Sequence, residues 1–140
     1  MEIDNSIENY KIKRNVQQRW SDMDAFGHVN NAVFASYLEE ARVYYLDEIV
    51  KWDWNINGLI LASMTINYRK PLKYADQVEI LIKCNKVGSK SFDLHYLIIN
   101  KMKEIICQAS TIMVYFNYKT QESEVIPNPI KEKIMRFENL

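Results

Sequence analysis

The sequence predicts an α+β fold: one antiparallel sheet of about five strands wrapped round a long central helix, in a single domain spanning residues 1–140. Three observations carry this expectation. Apolar residues recur at three- and four-residue spacing from Phe34 through Tyr37, Leu38, Ala41 and Tyr45 to Ile49, the period of an amphipathic helix. They recur at two-residue spacing in separate stretches between Leu59 and Tyr118, the period of strands. The connections Pro71–Asp76, Val87–Lys90 and Asn100–Lys103 are short, and short connections join antiparallel neighbours.

In chain order, Tyr10, Ile12, Val16 and Trp20 alternate with Lys11, Lys13, Asn15, Gln17 and Arg19, which predicts a strand over Tyr10–Trp20 with one wet face. The stretch Arg19–Arg42 follows. It holds two aspartates two residues apart (Asp22, Asp24), a Gly27-His28 turn, and two asparagines (Asn30, Asn31), either of which can cap the helix that begins there. Val33, Val43, Tyr44 and Leu46 widen the apolar surface of that helix beyond one stripe, so it is expected to be embraced by the sheet, ending before Lys51.

Asn57-Gly58 is a turn signal. Beyond it, Ile60, Ala62, Met64, Ile66 and Tyr68 alternate with Leu61, Ser63, Thr65 and Asn67. Val78, Ile80, Ile82 and Cys84 form a second such series, and Phe92, Leu94, Tyr96 and Ile98 a third. Ile105–Phe116 is apolar on both faces, as in a central or covered strand. Asn128-Pro129 opens a short docked helix over about 128–138. With one sheet face on the helix, the other still carries Leu81, Leu97, Ile106, Ile112 and Val114 and needs covering, so a homodimer or homotetramer is expected.

Composition narrows the function. Lys plus Arg equals Asp plus Glu at 18 each, and no basic run points to nucleic acid or an anionic membrane. The acidic, polar start is not a secretory signal and no apolar run approaches the ~18 residues of a membrane span, so a cytoplasmic protein with a small-molecule ligand is expected. Cys84 and Cys107 read as buried reduced thiols. Two histidines and two cysteines without ligand spacing predict no metal site.

The element order and the motif together resemble the hotdog-fold acyl-CoA thioesterases, the family of 4-hydroxybenzoyl-CoA thioesterase. The resemblance covers Tyr10 to about Tyr118. It rests on Arg19, Asp22-x-Asp24, Gly27-His28-Val29-Asn30-Asn31, Tyr37-Leu38 and Glu40-Ala41-Arg42, with support from Tyr68-Arg69-Lys70-Pro71-Leu72 and Asp76.

The resemblance implies hydrolysis of a fatty or aromatic acyl-CoA without a cofactor. Asp24 would be the catalytic carboxylate, as nucleophile or as general base for water. The Asn31 N–H would stabilise the oxyanion at the positive end of the helix, and Gly27 would give clearance for the substrate. His28 either orients Asp24 or is satisfied by its loop. Lys86, Ser89 and Lys90 resemble the family's turn that meets the coenzyme A phosphates.

Asp22 is expected to be scaffold, Glu40 an ion-paired or hydrogen-bonded residue too far along the helix to share a carbon with Asp24 of the same subunit, and Trp52, Trp54 and Tyr68 either core or acyl-pocket lining. Phe26 stands where related plant acyl carrier protein thioesterases have asparagine, which favours the simpler aspartate scheme. Two other readings stay open. One is an acyl-acyl carrier protein thioesterase, the other a non-catalytic module that binds acyl thioesters.

Overall fold

The computed structural model describes residues 2–140. Its strands are β1 (Ile12–Asn15), β2 (Gly58–Tyr68), β3 (Val78–Val87), β4 (Ser91–Asn100), β5 (Ile105–Asn117) and β6 (Glu122–Ser123), and its helices are α1 (Asn31–Tyr45) and α2 (Asn128–Glu138). All strand pairs are antiparallel, in the order β1-β3-β4-β5-β2 with the short β6 on β5. The sheet curls round α1, which is the hotdog arrangement the sequence leads one to expect.

The Asn30 side chain accepts the Ala32 N–H at 2.9 Å and starts α1. A π-helical turn, Leu46–Val50, ends it, and Lys51 turns the chain away in the left-handed conformation. Phe34, Tyr37, Leu38, Ala41 and Tyr45 of α1 share one buried cluster with Ile80, Ile82, Phe92, Leu94, Tyr96, Ile98 and Met113 of the sheet. Each large side chain buried here stabilises the fold by about 1.5–3 kcal/mol. In α2, Glu138 receives the Tyr45 hydroxyl at 2.9 Å and the Cys84 N–H, fastening the tail to the core. Cys84 and Cys107 are free and buried, and burial pushes both thiols up to about 12. Among the described residues no helix is long and apolar enough to cross a membrane.

Four expectations need correction. The first strand is Ile12–Asn15 rather than Tyr10–Trp20, because the Gln18 side chain takes the Ala75 N–H and Trp20 opens a 3-10 turn with its ring in solvent. The alternation in β2 breaks at Ala62. There the register steps from Leu61↔Met113 to Ser63↔Ile112, a bulge that puts Leu61 on the face of Met64 and Ile66. The third correction is at Gly58, which begins β2 after a turn at Trp54–Ile56; a Cβ there would lie 2.1 Å from the Phe116 carbonyl oxygen, so the position requires close approach rather than an unusual φ.

The fourth concerns the outer sheet face. Residues 3–10 cross it as a strap, with Tyr10 and Ile7 packed on Leu81, Leu97 and Ile99, so these apolar residues are covered by the chain itself. Ile106 belongs to the helix-side cluster, and of the five residues expected to need covering, Ile112 and Val114 keep exposure on that face.

The strap is tied down by polar contacts. The Asp4 N–H donates to His95 Nδ1 at 3.2 Å, the Tyr10 hydroxyl to the Asp4 carbonyl at 2.5 Å, and Lys83 pairs with the Asp4 carboxylate. Burial alone would raise Asp4, but Lys83, Asn9 and Ser6 outweigh it and hold it down to about 2. Burial holds buried His95 below its ordinary 6.5, with Lys83 adding to the effect and Asp4 and Asp93 opposing it. An unfolded chain therefore takes up this proton first as pH falls through 6.5 towards the folded value, and stability drops over that window. Urea midpoints measured at pH 7.5 and 5.5 are expected to fall with pH. His95→Gln should flatten the difference.

Candidate active site

The loop Arg19–Asn30 is built round two aspartates with separate tasks. Asp22 is buried, and its carboxylate receives the Arg19 N–H at 2.9 Å, the Tyr37 hydroxyl at 2.7 Å and the Arg19 guanidinium at 3.2 Å. Burial would raise its pKa, but the Arg19 N–H, the Tyr37 hydroxyl and the Arg19 charge outweigh that and hold it below the ordinary carboxylate range. As expected of scaffold, it bonds within its own loop. The tie to Tyr37 adds a link to the helix.

Asp24 lies half-exposed at the loop's tip. Its Oδ1 accepts the N–H groups of Phe26 at 2.8 Å and His28 at 3.1 Å, while its own N–H donates to the His28 carbonyl at 2.7 Å. The residue is thus a turn aspartate as well as a candidate reactant. Among the described residues nothing donates to Oδ2.

Gly27 has φ +77° and open space where a Cβ would stand, so the backbone conformation requires glycine while the approach to the loop stays clear. His28 reaches Asp24 through its backbone, and a bridge to Lys73 fixes it from behind. With the Val29 N–H donating to the Leu72 carbonyl at 2.6 Å, the segment after β2 becomes the back wall of the loop.

At the entrance of α1, Asn30 uses its side chain on the Ala32 N–H and its carbonyl on that of Val33. That leaves the Asn31 N–H without an acceptor among the described residues, at the positive end of the helix. The Tyr68 hydroxyl donates to the Asn31 carbonyl at 2.8 Å and its ring meets Phe34 edge-on at 5.3 Å. An open cleft of about 270 Å³ brings together Asp24, His28, Asn31, Phe34 and Tyr68, with Arg69 and Lys70 at its side.

A family model for the thioesterase-like superfamily matches residues 18–134, the loop and the whole cleft included. The chain belongs to this superfamily. Its relatives include the long-chain acyl-CoA thioesterase FadM of Escherichia coli K12, 27% identical over 128 residues that make up 88% of this chain and 96% of that one. The chloroplast acyl-acyl carrier protein thioesterase ATL3 of Arabidopsis thaliana is 28% identical over 127 residues, 83% of this chain and 63% of that longer protein. Among solved structures, a Thermus thermophilus thioesterase complexed with coenzyme A and Zn superposes with a TM-score of 0.86 at 29% identity, covering 96% of this chain and 98% of that one. Sequence and architecture agree, and the molecule is a thioesterase of the hotdog fold.

Within this superfamily frame, the expected site residues separate into two groups. Asp24, His28 and Asn31 line one cleft, and Gly27 shapes its loop. Lys86 lies at the end of β3, and Ser89 and Lys90 lie in the β3–β4 turn, whose carbonyls accept the Tyr115 and Ile126 N–H groups beside the Gly58 end of β2. The cleft adjoins the Tyr68 end. The 11 residues of β2 put roughly 33 Å between the two within one chain.

Trp52 packs on Phe92 and Tyr115 in the core, and Trp54 donates to Asp47 at the surface, so of the three candidate pocket aromatics only Tyr68 reaches the cleft. Arg69 and Lys70 are the site residues that sequence reasoning did not assign. Arg69 is steadied by two bonds to Gln108 Oε1, at 2.9 and 2.7 Å, and Lys70 pairs with Glu104. Their signal was present in the Tyr68-Arg69-Lys70-Pro71-Leu72 motif.

Proposed function

We propose that the chain hydrolyses acyl-CoA thioesters, with Asp24 as the catalytic carboxylate and the Asn31 N–H as oxyanion donor. The observation that carries this reading is the meeting of two uncommitted groups in one cleft: the Oδ2 edge of Asp24 and the helix-end N–H of Asn31. A thioester carbonyl lying between them has its oxygen at the N–H and its carbon exposed to the carboxylate or to water held by it. The carbonyl bond becomes a tetrahedral oxyanion, the thiolate leaves, and water supplies the new acid oxygen. Val29, Phe34 and Leu72 give the acyl group an apolar wall. Likeness to FadM supports a coenzyme A substrate, and likeness to ATL3 supports the second reading, an acyl carrier protein substrate.

A thiol-release assay across a graded acyl-CoA panel and matching acyl carrier protein donors decides between them. Release from acyl-CoA is expected, whereas tight binding without release points to a non-catalytic module.

The active form is a homo-oligomer in the cytoplasm, where buried free thiols persist. β2 is a long edge strand with Leu61 and Met64 exposed, and such an edge is a template for pairing with another chain. Antiparallel pairing of two β2 strands about a two-fold axis brings a second copy's Lys86–Lys90 turn to the Tyr68 end, where it can meet the coenzyme A phosphates. Leu61→Asp is expected to convert the dimer to a monomer in sedimentation and to raise KM for acyl-CoA. A dimer unaffected by this change places the interface elsewhere.

A further inference from the structure

We infer that Tyr37 is a positioning residue for turnover: through Asp22 it sets the spacing between the Asp24 carboxylate and the Asn31 N–H. This rests on the assignment of those two groups as the reacting pair.

Tyr37 does not line the cleft. It is buried on the inner face of α1, six residues beyond Asn31 and so about 9 Å further along the helix axis. Its ring packs in the core beside Phe34, work that a phenylalanine would do as well. The hydroxyl is what distinguishes it. A buried hydroxyl needs a partner, and this one donates at 2.7 Å to a carboxylate that is itself 1% exposed. Bonds to an ionised acceptor are roughly twice as strong as neutral ones.

The acceptor sits at a junction. The Asp22 carboxylate holds the start of the loop through the Arg19 N–H, and the Asp22 carbonyl holds its end by accepting the Asn30 N–H at 2.9 Å. Asn30 immediately precedes the oxyanion donor, and Asp24 follows Asp22 by two residues. The bonds of the Asp24 carboxylate run to Phe26 and His28, so they shape the loop without locating it on the helix. The contacts of His28 and Val29 with Lys73 and Leu72 locate it against the wall after β2. Among the described residues, the Tyr37–Asp22 bond is the one hydrogen bond from the loop to α1 beyond its first turn. The Asn30–Asp22 backbone bond and the Met23–Val29 bridge close the base of the loop, and the Tyr37 hydroxyl adds the tie that seats this base on the helix, so it bears on the distance between a group on the loop and a group on the helix.

Misplacement of reacting groups by about 1 Å can lower the rate by about 10²-fold. Tyr37→Phe keeps the ring and removes the tie, so kcat for thiol release is expected to fall roughly 10- to 100-fold with KM unchanged. A role confined to stability would instead lower the melting temperature and leave kcat intact well below it. The pathway through Asp22 gives a second reading from a double-mutant cycle. Adding Tyr37→Phe to Asp22→Ala should lower kcat little further, whereas losses that multiply overturn the clamp.

Should Tyr37→Phe fail to fold, Asp22→Ala, which removes the acceptor of the hydroxyl outright, carries the same kcat-against-KM test. An unchanged kcat in the folded variant overturns the inference. Asp24→Asn is measured alongside. If that variant keeps full turnover the assignment of Asp24 falls, and if it is inactive while Tyr37→Phe is unaffected only the positioning role falls.

Discussion

Asp24→Asn is expected to lower thiol release by about 10²- to 10⁴-fold with the fold unchanged. The asparagine is the sharper variant because Asp24 also organises its turn. Its Oδ1 accepts two backbone N–H groups, and a carboxamide oxygen can keep both bonds while offering neither a nucleophile nor a base. Asp24→Ala should lose as much activity and, in addition, about 1 kcal/mol of stability from the released turn. Comparing kcat and the melting temperature of the two variants separates chemistry from architecture. Turnover by Asp24→Asn at the unmodified rate would remove Asp24 from the mechanism.

That dual use of one side chain bears on how much could be read from the residues alone. The helix was legible because a single apolar period runs from Phe34 to Ile49 behind a capping asparagine, and β3 and β4 were legible from the alternation of Val78–Cys84 and Phe92–Ile98, while β5 showed as a long apolar run whose irregularity at Ile106 moved that residue to the helix side. The bulge at Ala62 was not. A bulge inserts one residue into an otherwise ordinary strand and leaves no compositional mark, so Leu61 was placed on the wrong face. The strap was hidden for a different reason: Ile3, Ile7 and Tyr10 stand at helical spacing in a segment that forms only a short 3-10 turn, and their burial depends on a sheet face formed by residues far along the chain.

At the site, the local motif around Asp24 and Asn31 was readable since one loop and one helix end supply it. Arg69 and Lys70 come to the cleft through long-range contacts, the bonds of Val29 and His28 to the segment after β2 and the Tyr68 hydroxyl on Asn31. The Lys86–Lys90 turn is remote within one chain, and any part it takes in the site depends on a second copy, which one sequence does not display.

Gly58→Ala is expected to be the most damaging single methyl in the molecule. Its Cβ would stand 2.1 Å from the Phe116 carbonyl oxygen and 2.8 and 2.9 Å from the Tyr118 ring, whose hydroxyl donates to the Leu59 carbonyl at 2.6 Å. The nearest obstacle is backbone in a paired strand, so the β2–β5 ladder must open at this end. A cost of about 3 kcal/mol is expected, at the upper end for an overpacked site. In a chain of this size it lowers the melting temperature by roughly 10 °C. Thermal and urea unfolding of the variant check it, and an unshifted melting temperature would mean that β2 does not close on β5 there. Since β2 is also an edge strand of the sheet, the same variant should weaken the β2–β2 pairing proposed above.

The strap across the outer face also sets an order of events during synthesis. Asp4 and the histidine that receives its N–H are 91 residues apart in the chain, so the strap leaves the ribosome roughly 5–20 s before its docking strand exists. In that interval Ile3, Ile7 and Tyr10 have no surface to cover, since the outer face of β3 and β4 has not yet been made. A segment made early is then among the last to settle. A tag or fusion joined ahead of the strap is carried by that late-closing piece, whereas one joined after α2 leaves its closure free.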